Sequence, residues 1–83
     1  IKRIGLARFR RNLMIAMGNS GDVGFRPQVI ENLNFPDAQV RAMAVWALGR
    51  LCAPDEIASL SRAHENETEE SVMAEWQALG VHR

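Results

Sequence analysis

The triplet Ala16-Met17-Gly18 recurs as Ala47-Leu48-Gly49 and again as Ala78-Leu79-Gly80, each time 31 residues on. Three evenly spaced copies in 83 residues predict a repeated unit rather than one irregular core. A unit of that length holds two helices and two turns. Such units bury their apolar faces on each other and leave one long surface open to a partner. The register aligns more than the triplets: Arg10 falls on Arg41, Phe9 on Val40 and Ser71, and Met14 on Val45 and Trp76. The first helix of each unit is the better kept half. The second-helix stretches, 29–33 and 57–63, match only loosely.

Apolar spacing predicts five helices. Over about residues 4–17, Leu6, Phe9, Leu13 and Met17 recur at three and four, with Ile15 and Ala16 widening the stripe. Gly18 suits a left-handed cap there. A second helix runs from about Arg26 or Pro27 to Leu33, with Pro27 tolerated in its first turn. Asp37 is placed to cap a third helix, about residues 38–52, whose stripe is Val40, Met43, Ala44, Ala47, Leu48 and Leu51. Gly49 inside it costs about 1 kcal/mol relative to Ala and would let a neighbouring helix approach. Pro54-Asp55-Glu56 opens a fourth, with Ile57, Leu60 and Ala63 inside. Thr68, followed by Glu69, Glu70 and Ser71, resembles the capped start of a fifth, which carries Val72, Met73, Trp76 and Leu79 and ends at Gly80. Alternation never persists, so no strand is expected.

Length bounds the chain to one small domain with a thin core. Its 47 % apolar content is that of a folded protein. Ile1 is not a Met, so the chain reads as an excised piece of a longer protein or as one with its start trimmed. The lone Cys52 can form no internal disulfide and no four-ligand metal site by itself, which fits a reducing cytoplasmic setting. No apolar run approaches the roughly 18 residues of a membrane span. The zero net charge hides a split. Residues 1–50 carry eight basic and three acidic residues, and residues 51–83 carry two basic and seven acidic. A basic face toward phosphates is therefore compatible with a neutral sum.

Two stretches are more specific. Residues 10–21 read RRNLMIAMGNSG and residues 40–51 read VRAMAVWALGRL. Together they resemble the C-terminal HEAT-like domain of epoxyqueuosine reductase. Arg11, Asn12, Ala16, Gly18 and Asn19 fit that family's first segment. Val40, Arg41, Ala44, Trp46, Ala47, Leu48, Gly49, Arg50 and Leu51 fit its second. The likeness covers roughly residues 3–53. It implies an all-α, HEAT-like α–α superhelix of two to three hairpins over residues 1–83, the C-terminal part of a larger iron–sulfur protein. It also implies a non-catalytic role in queuosine tRNA modification: holding the anticodon stem-loop region for an oxidoreductase whose cobalamin and [4Fe–4S] clusters sit in upstream domains of the same polypeptide. The cluster-binding cysteines of that family have no counterpart here.

The phosphate-binding candidates are Arg8, Arg10, Arg11 and Arg41, with Lys2, Arg3 and Arg26 as outer candidates. Arg8 and Arg11 are one helical turn apart and can span adjacent phosphates. Arg10 and Arg41, as repeat equivalents, would lie side by side on successive hairpins. Arg forks match phosphate oxygens. Scattered arginines on a solvated helix face are the plainer alternative. Asn19 reads as a turn residue, and Asn12 as a buried side chain bonding the adjacent hairpin turn. Trp46, Trp76 and the four methionines read as core. His64 and His82 have no ligand spacing, and Cys52 with His64 lacks a third catalytic group. The glutamates at 65, 67, 69 and 70 read as a soluble loop. The alternative function is a protein–protein scaffold, with apolar hot spots in place of arginines.

Overall fold

The computed structural model describes residues 3–80, and for Arg3 and Ile4 the backbone alone. The readings placed on Lys2 and His82 fall outside the described residues. Five α-helices follow one another: α1 (Arg3–Ser20), α2 (Arg26–Glu31), α3 (Ala38–Leu51), α4 (Pro54–Ala63) and α5 (Glu70–Ala78). Short 3₁₀ turns at Val23–Phe25 and Asn32–Asn34 flank α2. Among the described residues there is no strand, as the absence of alternation predicts.

The three odd-numbered helices form one layer. α3 packs against α1 on one flank and α5 on the other, while α2 and α4 cover its inner side. The molecule measures 36 × 29 × 17 Å, and the short dimension is about two helix layers deep. Met14, Val29, Val45, Leu48, Val72 and Trp76 are fully buried between the layers. Each such side chain contributes about 1.5–3 kcal/mol by leaving water. Arg26 donates to Glu56 at 3.2 Å and ties α2 to α4, but both side chains are over a third exposed and the pair adds at most about 1 kcal/mol.

The helix ends differ from the expected ones in two places. Gly18 does not stop α1. The helix runs to Ser20, whose hydroxyl donates to the Met17 carbonyl, and Gly21 takes the left-handed turn at φ 69°. Thr68 does not cap α5 either. The Glu67 carboxylate accepts from the backbone N–H groups of Thr68 and Glu69 instead, both at 3.1 Å. Asp37 does cap α3, accepting from the Gln39 N–H at 2.8 Å. Gly80 ends α5 with φ 83°.

Gly18 and Gly49 mark close helix contacts. A Cβ on Gly18 would lie 2.6 Å from the Trp46 ring and 3.2 Å from the Ala47 Cα. A Cβ on Gly49 would collide with Leu79 of α5's end. The two contacts differ: Gly18 faces the Ala47 backbone as well as the Trp46 ring, whereas Gly49 faces only the tip of the Leu79 side chain. Replacing Gly18 with Val gains less than about 1 kcal/mol of helix propensity. It forces overpacking that costs about 1–3 kcal/mol. Gly18→Val is expected to lower the urea midpoint, with a net loss of about 1–2 kcal/mol at unchanged slope.

Candidate nucleic-acid interface

α1 and α3 hold six arginines between them and no carboxylate. Neighbouring helices therefore start from a basic surface, and the fold then decides which guanidiniums remain available. They divide by the side of the layer on which they emerge.

Arg10 and Arg41 emerge on the inner side. Arg10 donates to the Oδ1 of the buried Asn32 at 3.3 Å, and its guanidinium lies 5.3 Å from the centre of the Phe35 ring. Arg41 donates from Nη1 to the carbonyls of Phe35 and Pro36, at 2.9 and 2.8 Å. Its Nε and Nη2 form a two-pronged pair with Glu67, at 2.9 and 3.1 Å. Both repeat-equivalent arginines reach Phe35, Arg10 at its ring and Arg41 at its carbonyl. Both hold turns in place. The Arg41 side chain is 17 % exposed with its fork spent, so a phosphate there would have to displace Glu67. Arg26 is engaged with Glu56.

Arg8 and Arg11 emerge on the outer side, as one helical turn of separation requires. Arg8 is exposed and has no hydrogen-bond or ion-pair partner among the described residues. Arg11 donates to the exposed Gln39 of α3 at 3.1 Å, a neutral contact that a phosphate could outcompete. Arg50 belongs to the same open side, because it lies four residues after Trp46 and places its guanidinium 5.6 Å from that ring's centre. Arg50 is exposed and stands nine residues after Arg41, on a different side of α3. The cue that could have found it is the Trp46–Arg50 spacing of one turn. A shallow groove of about 420 Å³ runs along this side, lined by Arg11 and Ile15 of α1, Gln39, Ala42 and Met43 of α3, and Ser71 and Glu75 of α5.

Other candidates resolve differently. Asn12 is exposed, so the buried asparagine of this fold is Asn32, which also donates to the Gln28 carbonyl at 2.7 Å. Trp76 is core, and Trp46 is half-buried against Gly18. Cys52 is half-buried, and its thiol is pushed up to about 11 by burial first and by Glu56 second. It is therefore a poor nucleophile at neutral pH. No group of three or more metal-ligating side chains gathers among the described residues. No helix among them is long and apolar enough to cross a membrane.

The Glu67 carboxyl is held below its ordinary 4.5. Burial acts to raise it, but the Arg41 bond, the Glu69 amide, the Arg41 charge and the Thr68 amide together outweigh burial. A carboxyl lowered by folding stabilises fully above its unfolded pKa and loses that contribution as pH falls through the folded one. Stability is therefore expected to decline from about pH 4.5 downward, and Glu67→Gln should flatten that part of a urea-midpoint profile. At neutral pH, Arg41→Ala is expected to cost about 2–3 kcal/mol in the same denaturation measurement, because it leaves a largely buried carboxylate unpaired.

No match was found among curated proteins or among solved structures. A family model described as HEAT repeats matches residues 6–80. That span runs from within α1 to the glycine that ends α5, and with the two-layer helical stack it shows that this chain belongs to the HEAT-repeat family.

Proposed function

We propose that this HEAT-repeat domain positions tRNA for an epoxyqueuosine reductase-like iron–sulfur oxidoreductase. In that reading the domain is non-catalytic, and its partners are the tRNA anticodon stem-loop region and upstream domains of the same polypeptide. Those domains would carry cobalamin and the [4Fe–4S] clusters. A cytoplasmic location follows from the same reading.

The observation that carries the nucleic-acid part is the charge of the two adjacent helices: six arginines and no carboxylate. Arg8 and Arg11 are the phosphate contacts, and Arg50 extends them along α3 with Trp46 beside it. Lys2 and Arg3 remain outer candidates at the start of the chain. Arg10, Arg26 and Arg41 contribute to the local potential while their forks serve the fold. The acidic residues of α4 and α5 bound the surface and orient a polyanion toward α1. The specific link to queuosine chemistry rests on the two motif segments, residues 10–21 and 40–51.

The protein-scaffold reading is favoured by a different feature. Phe9 is 60 % exposed and Leu6 37 % exposed, on a side of α1 that phosphates would not use.

Titration of the domain with tRNA at several salt concentrations tests the proposal. Two to three phosphate contacts should give a log–log slope of about −2 to −3. Arg8→Glu with Arg11→Glu should weaken binding and bring the slope toward zero without altering the helical circular-dichroism signal. Affinity unchanged by that double substitution would overturn the reading.

A further inference from the structure

The groove on the open side of the layer is bounded on both flanks by helices of this chain. α1 contributes Arg11 and Ile15, α3 contributes Ala42 and Met43, and α5 contributes Ser71 and Glu75. Ala42 is buried and Ile15 and Met43 are half-buried, so an apolar strip runs between the polar side chains. The groove's volume of about 420 Å³ lies within the range of about 300–1,000 Å³ that small-molecule sites occupy. Opposite charges stand on its two flanking helices: the Arg11 guanidinium on α1 and the Glu75 carboxylate on α5.

Glu75 is the unusual member. It is half-buried, and no hydrogen bond or ion pair holds its carboxylate among the described residues. Ser71 lies one helical turn before it, so the two share a side of α5. In the 31-residue register the position of Glu75 belongs to Ala44 and Leu13, so a place that is apolar in two units holds an acid in the third. A carboxylate beside apolar side chains loses hydration without gaining a partner. Beside phosphate-binding arginines it also opposes a polyanion. A ligand that brings N–H donors to this side of the groove offsets both effects.

Arg11 is held at the groove by its neutral contact with Gln39, and the exposed Arg8 continues the cationic line one turn earlier. Two cations along one helix suit a chain of phosphates. The group that such a chain carries, flat and apolar on its faces and edged with donors, is a nucleobase. Bases of unpaired segments splay out onto protein side chains, and the Met43 thioether makes a favourable contact with an aromatic ring. The carboxylate then reads the edge. Guanine presents two adjacent donors, N1–H and the N2 amino group, which match the two oxygens of Glu75. Adenine and cytosine set one donor beside a ring-nitrogen acceptor, and the single N–H of uracil stands between two carbonyls. We propose that this groove takes one unpaired base of the bound RNA and that Glu75 selects guanine. The proposal rests on the nucleic-acid reading of Arg8 and Arg11, and adds that the partner is recognised through a single-stranded segment as well as through its backbone.

Binding of short RNAs at low salt gives the test, with the pentaribonucleotides UUGUU and UUAUU and an RNA duplex of about ten base pairs as probes. UUGUU should bind about tenfold more tightly than UUAUU, the size of one good two-pronged base contact. Glu75→Gln keeps the size and helix propensity of the side chain, and circular dichroism checks that the variant is folded. It should weaken UUGUU about tenfold and leave UUAUU no weaker, so that the preference disappears. Its affinity for the duplex should not fall, because paired bases do not reach the groove. Equal binding of the two pentanucleotides by the wild-type domain overturns the inference, and so does a guanine preference that survives Glu75→Gln. In either case the nucleic-acid reading stands if Arg8→Glu with Arg11→Glu abolishes tRNA binding, so the two failures are told apart. A domain that binds neither these RNAs nor tRNA at low salt overturns both.

Discussion

The two-pronged pair between Arg41 and Glu67 ties α3 to the turn that leads from α4 into α5. One guanidinium bonds the carbonyls of Phe35 and Pro36 before α3 and the Glu67 carboxylate after α4. The same carboxylate accepts from the two amides that lead into α5. Three segments distant in sequence are thus referred to one side chain. A thin two-layer slab has few apolar contacts to fix the relative height of its hairpins. A directional, charge-assisted contact at low exposure supplies that height where nondirectional burial cannot.

Helix spacing is set at the other side of the layer by small residues. Gly18 lets α1 approach Trp46 and Ala47, and Gly49 lets α3 approach Leu79. Close approach puts Arg11 within reach of Gln39 and brings Ile15 and Met43 into one groove. The open face is therefore a consequence of the packing: its arginines sit on helices too close together to admit long side chains between them.

Arginine does two kinds of work in this domain, and the inner work constrains the outer. Arg10 and Arg41 neutralise buried carbonyl and carboxylate oxygens at the turns. Arg8, Arg11 and Arg50 ride on the framework so formed and retain donors toward solvent. An arginine on this surface contributes to the field over the whole layer, but only one with an uncommitted fork can grip a phosphate. α1 also carries two different apolar surfaces. Met14 and Met17 face the core with Leu13 packed at its edge, and Phe9 with Leu6 stands in solvent.

The 31-residue period, the five helices and the Asp37 cap were legible in the chain, because periodicity and capping are local properties of neighbouring residues. Tertiary structure decided which way each helix turned. The stripe Leu6, Phe9, Leu13 and Met17 looks like one buried face, yet Phe9 and Leu6 stand in solvent, because α1 turns Met14 and Met17 toward the core and these two away from it. Gly18 looks like a helix stop, but its value is the absence of a Cβ facing Trp46, which no local rule reveals. Arg41 and Arg8 are the same residue type on the same kind of helix. Their difference lies in a carboxylate 26 residues downstream that folding brings to one and not to the other.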